Sequence, residues 1–168
     1  MKLPDPLHPA LVHFPIVLIL IGMAVAVIAV FWRKGYIPIF AAALLTCGAL
    51  GAWVALATGK SDGGLVESLS APAEALLEAH EMWAERTVTA ATTAAVLAIG
   101  VIAAFRFPRV VRGLSVATAL MAMVAAWTVF ETGHRGGAMV YKHGLGVSVN
   151  GATPSLATER LGKLVDHD

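Results

Sequence analysis

The chain has 168 residues, of which 58% are hydrophobic and only 14% charged, with a formal net charge of +1 and a mean hydropathy of +0.76. Soluble domains average roughly 45–50% apolar and 25% charged residues, so a water-soluble globule is excluded, and the near-neutral balance leaves no basic surface for nucleic acid. The length suits one domain with no large extramembrane module, and the single cysteine, Cys47, sits in an apolar run and reads as a small core residue.

Taken in chain order, four stretches are apolar and long enough to cross a bilayer, which needs about 18 or more such residues. They cover 14–32, 36–58, 87–105 and 113–130. The segment before the first, M-K-L-P-D-P-L-H-P, is a poor basic leader, and the apolar run exceeds the roughly 7–15 residues of a signal sequence, so it reads as a span. Arg33 and Lys34 fill the connection to the second span. Arg106, Arg109 and Arg112 fill the one between the third and fourth, and neither contains an acid. That density of cations favours these two tight loops as cytoplasmic. Both termini and the 59–86 connection then face outward from an inner, plasma membrane crossed several times.

The second span leaves through A-T-G-K-S-D-G-G (57–64) and the fourth through E-T-G-H-R-G-G (131–137). The glycines are expected to cap their helices, where positive φ is cheap without a β-carbon. The pattern predicts an all-α bundle built from two repeated helical hairpins. In the outer connection, Leu65, Leu69, Leu76 and Trp83 form a helical apolar stripe, and Glu67, Glu74, Glu78, Glu81 and Glu85 fall opposite. Ser70 followed by Ala-Pro-Ala-Glu reads as an N-cap with proline in the first turn. The third helix is therefore expected to start well outside the membrane, with His80 on its bundle-facing side. Four-helix transmembrane architecture is assigned to 1–140. A short extracytoplasmic tail is assigned to 141–168, with a strand and turn in G-V-S-V-N-G and a polar helix near 156–165.

Five of the six histidines fall at one end. His8 and His13 open the first helix, His80 lies on the outer extension of the third, and His134 and His143 follow the fourth. Only His167 belongs to the tail. Chain parity alone puts those five on the same side of the membrane. Each by itself reads as an interfacial side chain, but imidazoles from facing helices of a bundle are a usual means of holding a metal or haem. One reading gives His8, His13, His80 and His134 to copper, zinc or iron, helped by Glu81, Glu131 or Asp62. Another leaves the histidines as shapers of the outer surface, or the chain as an anchor subunit of a respiratory complex. Transport is disfavoured, since the spans contain no Asp, Glu, Lys or Arg. Hydrolysis has no nucleophile, base or phosphate loop to support it.

H-P-A-L-V-H-F-P-I (8–16) and G-H-R-G-G-A-M-V-Y-K-H-G-L-G-V (133–147) resemble the opening and closing signatures of the bacterial membrane family called "domain of unknown function 2231", over nearly the whole chain. The resemblance implies four helices and a likeness to small di-haem membrane cytochromes. No C-x-x-C-H occurs, so any haem would be non-covalent and b-type. The cytoplasmic half lacks the histidines a second haem needs.

A bis-histidine haem b near the outer face is thus the leading expectation, with two imidazoles from opposing helices and an apolar slot between them. His13 and His80 are the first pair, His134 the first substitute, then His8 and His143. Arg86 and Arg135 stand at the level of haem propionates, and Trp83 and Tyr141 line the pocket. Such a protein would carry electrons, or anchor a larger redox complex, rather than act as a stand-alone enzyme. Its partners beyond the lipid bilayer would be a quinol or a soluble cytochrome, other redox subunits, or further copies of itself. Small residues in the spans (Gly22, Gly48, Gly51, Ala125, Ala126) suit close helix contact.

Overall fold

The computed structural model describes residues 8–32, 35–63 and 70–144, the side chains of Asp62 and Gly63 excepted. All regular elements among these are helical: α1 (His8–Leu11), α2 (His13–Phe31), α3 (Ile37–Gly63), α4 (Ala71–Ala103) and α5 (Pro108–His143). Four helical units have the length and apolarity to cross a membrane, α1 and α2 counting as one. Pro15 explains the break at Val12. Its ring brings no N–H for the Leu11 carbonyl and crowds it. The chain stays helical in path, since Val12 N–H reaches His8 O at 3.1 Å.

Around the bundle, α2 packs on α3, α3 on α4, α4 on α5, and α5 closes back on α2, so α2 and α4 are diagonal. The core is alanine-rich, and its largest fully buried side chains are Ile19 and Leu45. Glycines let α2 and α3 approach closely. A Cβ on Gly22 would meet Leu45 at 2.9 Å, one on Gly48 would meet Ile19 at 2.9 Å, and one on Gly51 would meet Pro15 at 3.3 Å. Large apolar side chains such as Phe14, Leu50, Val96 and Leu120 face outward, as lipid-facing positions do in a solvent that is itself apolar.

The two hairpins repeat each other. The interval that separates His8 from His80 also separates the buried Pro15, Ile19, Gly22, Ala26 and Ala29 of α2 from the buried Thr87, Ala91, Ala94, Ala98 and Val101 of α4. A second constant interval carries Ala41, Ala42, Leu45 and Ala52 of α3 onto Thr118, Ala119, Ala122 and Val129 of α5, all buried. This structural register pairs Gly59 with Gly136. Matching the two T-G exit motifs would have paired Gly59 with Gly133, one helical turn away.

Several expectations are corrected. Gly59, Gly133, Gly136 and Gly137 do not cap, and Gly64 lies outside the described residues. Helix α3 runs through Gly59 to Gly63, and α5 runs through Gly133, Gly136 and Gly137 to His143, where Gly144 caps it at φ +63°. The last helix includes Tyr141 and His143 and starts at Pro108, so it extends past both ends of the 113–130 span. Ser70 stands at the α4 N-cap with Pro72 in the first turn. Its backbone carbonyl receives the N–H groups of Ala73 and Glu74 (2.9 and 3.0 Å), and its hydroxyl makes no capping bond. The extension of α4 ahead of Thr87 is present from Ala71, with Glu74, Glu78 and Glu85 exposed, Glu81 half-buried and Ala73 buried. Leu65, Glu67, Leu69, the 146–151 turn, the 156–165 helix and His167 lie outside the described residues.

Candidate functional site

The two hairpins each offer one imidazole at the same end of the bundle. His8 is positioned by the first turn of α1, which packs against α3. Its Nδ1 lies 2.8 Å from the Ala55 carbonyl oxygen, and Thr58 Oγ1 is 3.5 Å away. His80 is carried inward by the amphipathic extension of α4, and its Nδ1 lies 3.0 Å from the Thr132 carbonyl oxygen. A carbonyl only accepts, so Nδ1 carries a proton on both rings, and in the neutral form of an imidazole that leaves the lone pair on Nε2. The two rings are perpendicular (88°), with centroids 6.4 Å apart.

Each ring rests on a glycine one turn beyond its carbonyl partner. A Cβ on Gly59 would come within 2.9 Å of His8 Cε1, and one on Gly136 within 3.2 Å of His80 Cε1. These glycines, read from sequence as helix ends, are the backbone floors of the two imidazoles. The signal that could have found them is the small-residue spacing of α3, where Gly48, Gly51, Ala52, Ala55 and Gly59 follow one helical face without interruption.

His80 belongs to the polar extension of α4, outside the apolar segment that begins at Thr87. Burial holds its pKa below the ordinary 6.5, and the neighbouring His8 and Arg135 push the same way. The Thr132 hydrogen bond and Glu81 oppose them without prevailing. A neutral imidazole is the form that can donate a lone pair to a metal. Below the ring, the hydroxyls of Thr87 and Thr132 meet at 3.1 Å, and Thr132 donates to Thr128 O at 2.8 Å.

Beside the pair stands a cationic and aromatic group. The guanidiniums of Arg86 and Arg135 both lie over the Trp83 ring, each 4.7 Å from its centroid. Arg135 also pairs with Glu131 one turn earlier on α5. Across the α3–α4 boundary, Lys60 donates to Glu85 at 2.6 Å, with both side chains about half exposed.

The remaining sequence candidates do not join the pair. His13 is exposed at the start of α2. His134 is exposed on α5, stacked on Phe130 with centroids 6.5 Å apart. His143 sits in the last turn of α5, at the negative end of the helix dipole, and Tyr141 is exposed. The favoured partner of His80 therefore shifts from His13 to His8. The physical reason is the Pro15 break, which sets α1 against α3 so that His8 turns onto the α3 backbone. Among the described residues, no three His, Cys, Asp or Glu side chains gather to hold a metal ion. The four-histidine set is thus not assembled, and Glu131 is engaged by Arg135.

Two features suit the residues to a bis-imidazole group: one comes from each hairpin, and the Nδ1 of each faces a backbone carbonyl. Metal-bound histidines characteristically donate their second nitrogen in this way. His8 and His80 are the residues that would hold such a group, their ring centroids 6.4 Å apart.

A family profile described as "Predicted membrane protein (DUF2231)" matches residues 4–149. No curated protein and no solved structure matches the chain.

Proposed function

The chain belongs to this DUF2231 family of membrane proteins, and on that premise we propose that it is a b-type cytochrome-like electron carrier holding one haem between His8 and His80. The observation that carries the reading is the paired geometry itself: two carbonyl-anchored imidazoles, one from each hairpin, perpendicular and 6.4 Å apart. Bound there, haem would supply a one-electron centre whose potential responds to its axial ligands and their hydrogen bonds. The protein's own part is to fix both tautomers and to shed bulk at Gly59 and Gly136 where the rings lie. Arg135, next to His80 and over Trp83, provides a guanidinium at the level of a propionate. The cation-dense short loops favour placing this end on the extracytoplasmic side. There it would exchange electrons with a quinol or soluble cytochrome, alone or as the anchor of a redox complex.

The test is the absorption spectrum of the detergent-purified protein, oxidised and dithionite-reduced, with a pyridine haemochrome assay. A Soret band with sharp reduced α and β bands is expected, lost in His8→Ala and His80→Ala and retained in His13→Ala. A colourless protein after expression with ample haem overturns the reading. Elemental analysis would then ask whether the two imidazoles hold bare copper, zinc or iron.

A further inference from the structure

The two ends of the bundle are unlike in charge, a difference that the near-zero net charge averages away. Among the described residues the acids Asp62, Glu74, Glu78, Glu81, Glu85 and Glu131 all lie towards the histidine end. At the opposite end Arg106 sits in the α4–α5 turn. Arg109 and Arg112 follow at the start of α5, three residues apart and so neighbours on the helix surface. All three are exposed, and the ion pairs of the described residues are made elsewhere, by Lys60 and Arg135. The arginines also stand at the positive end of the α5 dipole, with no acid in its first turn. Their mutual repulsion is therefore not offset by any described side chain.

Exposed apolar side chains are set among these cations. Phe105 lies under the Arg106 guanidinium, 5.4 Å from its ring centroid, and Phe107 and Val110 are exposed beside Arg106 and Arg109 in the chain. We infer that this end of the α4–α5 hairpin binds an anionic phospholipid, its phosphate on Arg106, Arg109 and Arg112 and its acyl chains along the apolar residues. Guanidinium pairs bidentately with phosphate oxygens, and basic residues next to a spanning helix are drawn to anionic lipid heads. The head must carry net negative charge: a choline head would bring its own cation up to three unpaired arginines and leave their repulsion in place. A soluble phosphate would engage the arginines alone, whereas a phospholipid also covers the neighbouring aromatic and aliphatic side chains. The binding face is remote from the histidine pair, so the inference does not depend on haem, and it holds for whichever leaflet this end occupies.

The experiment is native mass spectrometry of the detergent-purified, delipidated full chain, titrated separately with phosphatidylglycerol and phosphatidylcholine. Discrete phosphatidylglycerol adducts are expected at concentrations where phosphatidylcholine gives few. Arg106→Gln, Arg109→Gln and Arg112→Gln should each weaken phosphatidylglycerol binding about fivefold, the factor expected per basic residue at an anionic surface, with phosphatidylcholine binding unchanged. Each substitution is at an exposed position, and helical content by circular dichroism should match that of the native chain. The double variant Lys60→Gln, Lys142→Gln removes two exposed cations from the histidine end and should leave phosphatidylglycerol binding as it was. Excess glycerol phosphate should not displace the lipid. Equal affinity for the two lipids, or losses as large in the lysine variant as in the arginine variants, overturns the proposal. So does displacement by glycerol phosphate, which would mark a site for a soluble anion.

Discussion

Gly59 lies against the His8 imidazole so closely that a methyl group there would stand 2.9 Å from Cε1. Gly136 bears the same relation to His80 at 3.2 Å, whereas nothing approaches a Cβ at Gly133 within 4 Å. Three glycines of similar sequence setting thus have different jobs. Gly59→Ala should destabilise by about 1–3 kcal/mol through overpacking, Gly136→Ala by less. Gly133→Ala, inside an ordinary helix, should stabilise by roughly 0.5–1 kcal/mol. Thermal unfolding of the three variants in one detergent checks the order. Equal effects would mean that the rings do not rest on the helix backbone.

Protonation of His80 should be coupled to folding. Its native pKa lies below the ordinary 6.5 because the ring is buried. Between the native pKa and 6.5, the unfolded chain binds more protons than the native one, so stability rises with pH through that window. The contribution is complete above 6.5 and is lost as pH falls beneath it, with a slope of at most about 1.4 kcal/mol per pH unit. Midpoints of unfolding measured from pH 5 to 7.5 should fall towards acid in the native chain and flatten there in His80→Gln.

The two acid–base pairs should differ in weight. Arg135 and Glu131 are each less than a quarter exposed in their side chains, while Lys60 and Glu85 are half exposed. Water screens the second pair far more. Glu131→Gln should therefore lower the unfolding midpoint more than Glu85→Gln. High salt should erase the effect of Glu85→Gln while leaving much of that of Glu131→Gln.

Cysteine accessibility tests the orientation favoured by the loop charges. Cys47 faces outward in mid-helix and should resist a membrane-impermeant maleimide in intact cells. With Cys47→Ala as background, Glu78→Cys should react from outside and Arg112→Cys only after permeabilisation. The opposite pattern would invert the protein and place the histidine pair in the cytoplasm.

The sequence was a good guide where one periodicity governed one face. The stretch of α4 ahead of Thr87 is an instance: of its acid stripe Glu74, Glu78 and Glu85 are exposed and Glu81 is half-buried, while His80 turns onto the Thr132 carbonyl of α5. The failures share a cause in tertiary context. Whether His8 or His13 points at the bundle depends on how Pro15 interrupts the helix, and spacing along the chain does not carry that information. The glycines of 57–64 and 131–137 looked like helix ends because glycine is cheap at a cap. Gly59 and Gly136 are instead sites of close approach, where a ring from another helix takes the place of the side chain. Glycine signals both, and only the partner distinguishes them.

The matching burial intervals of the two hairpins have a consequence for how the pair is held. Each hairpin supplies one imidazole, the carbonyl that orients it and the glycine beneath it, so neither half has a site by itself. In effect the molecule is a dimer written as one polypeptide. Tethering substitutes a fixed effective concentration for a partner that would otherwise have to be found in the plane of the bilayer. It also frees the two protomer-like halves from being identical, and they have used that freedom: the first begins in a clipped turn at His8, the second in a long acidic arm bearing His80.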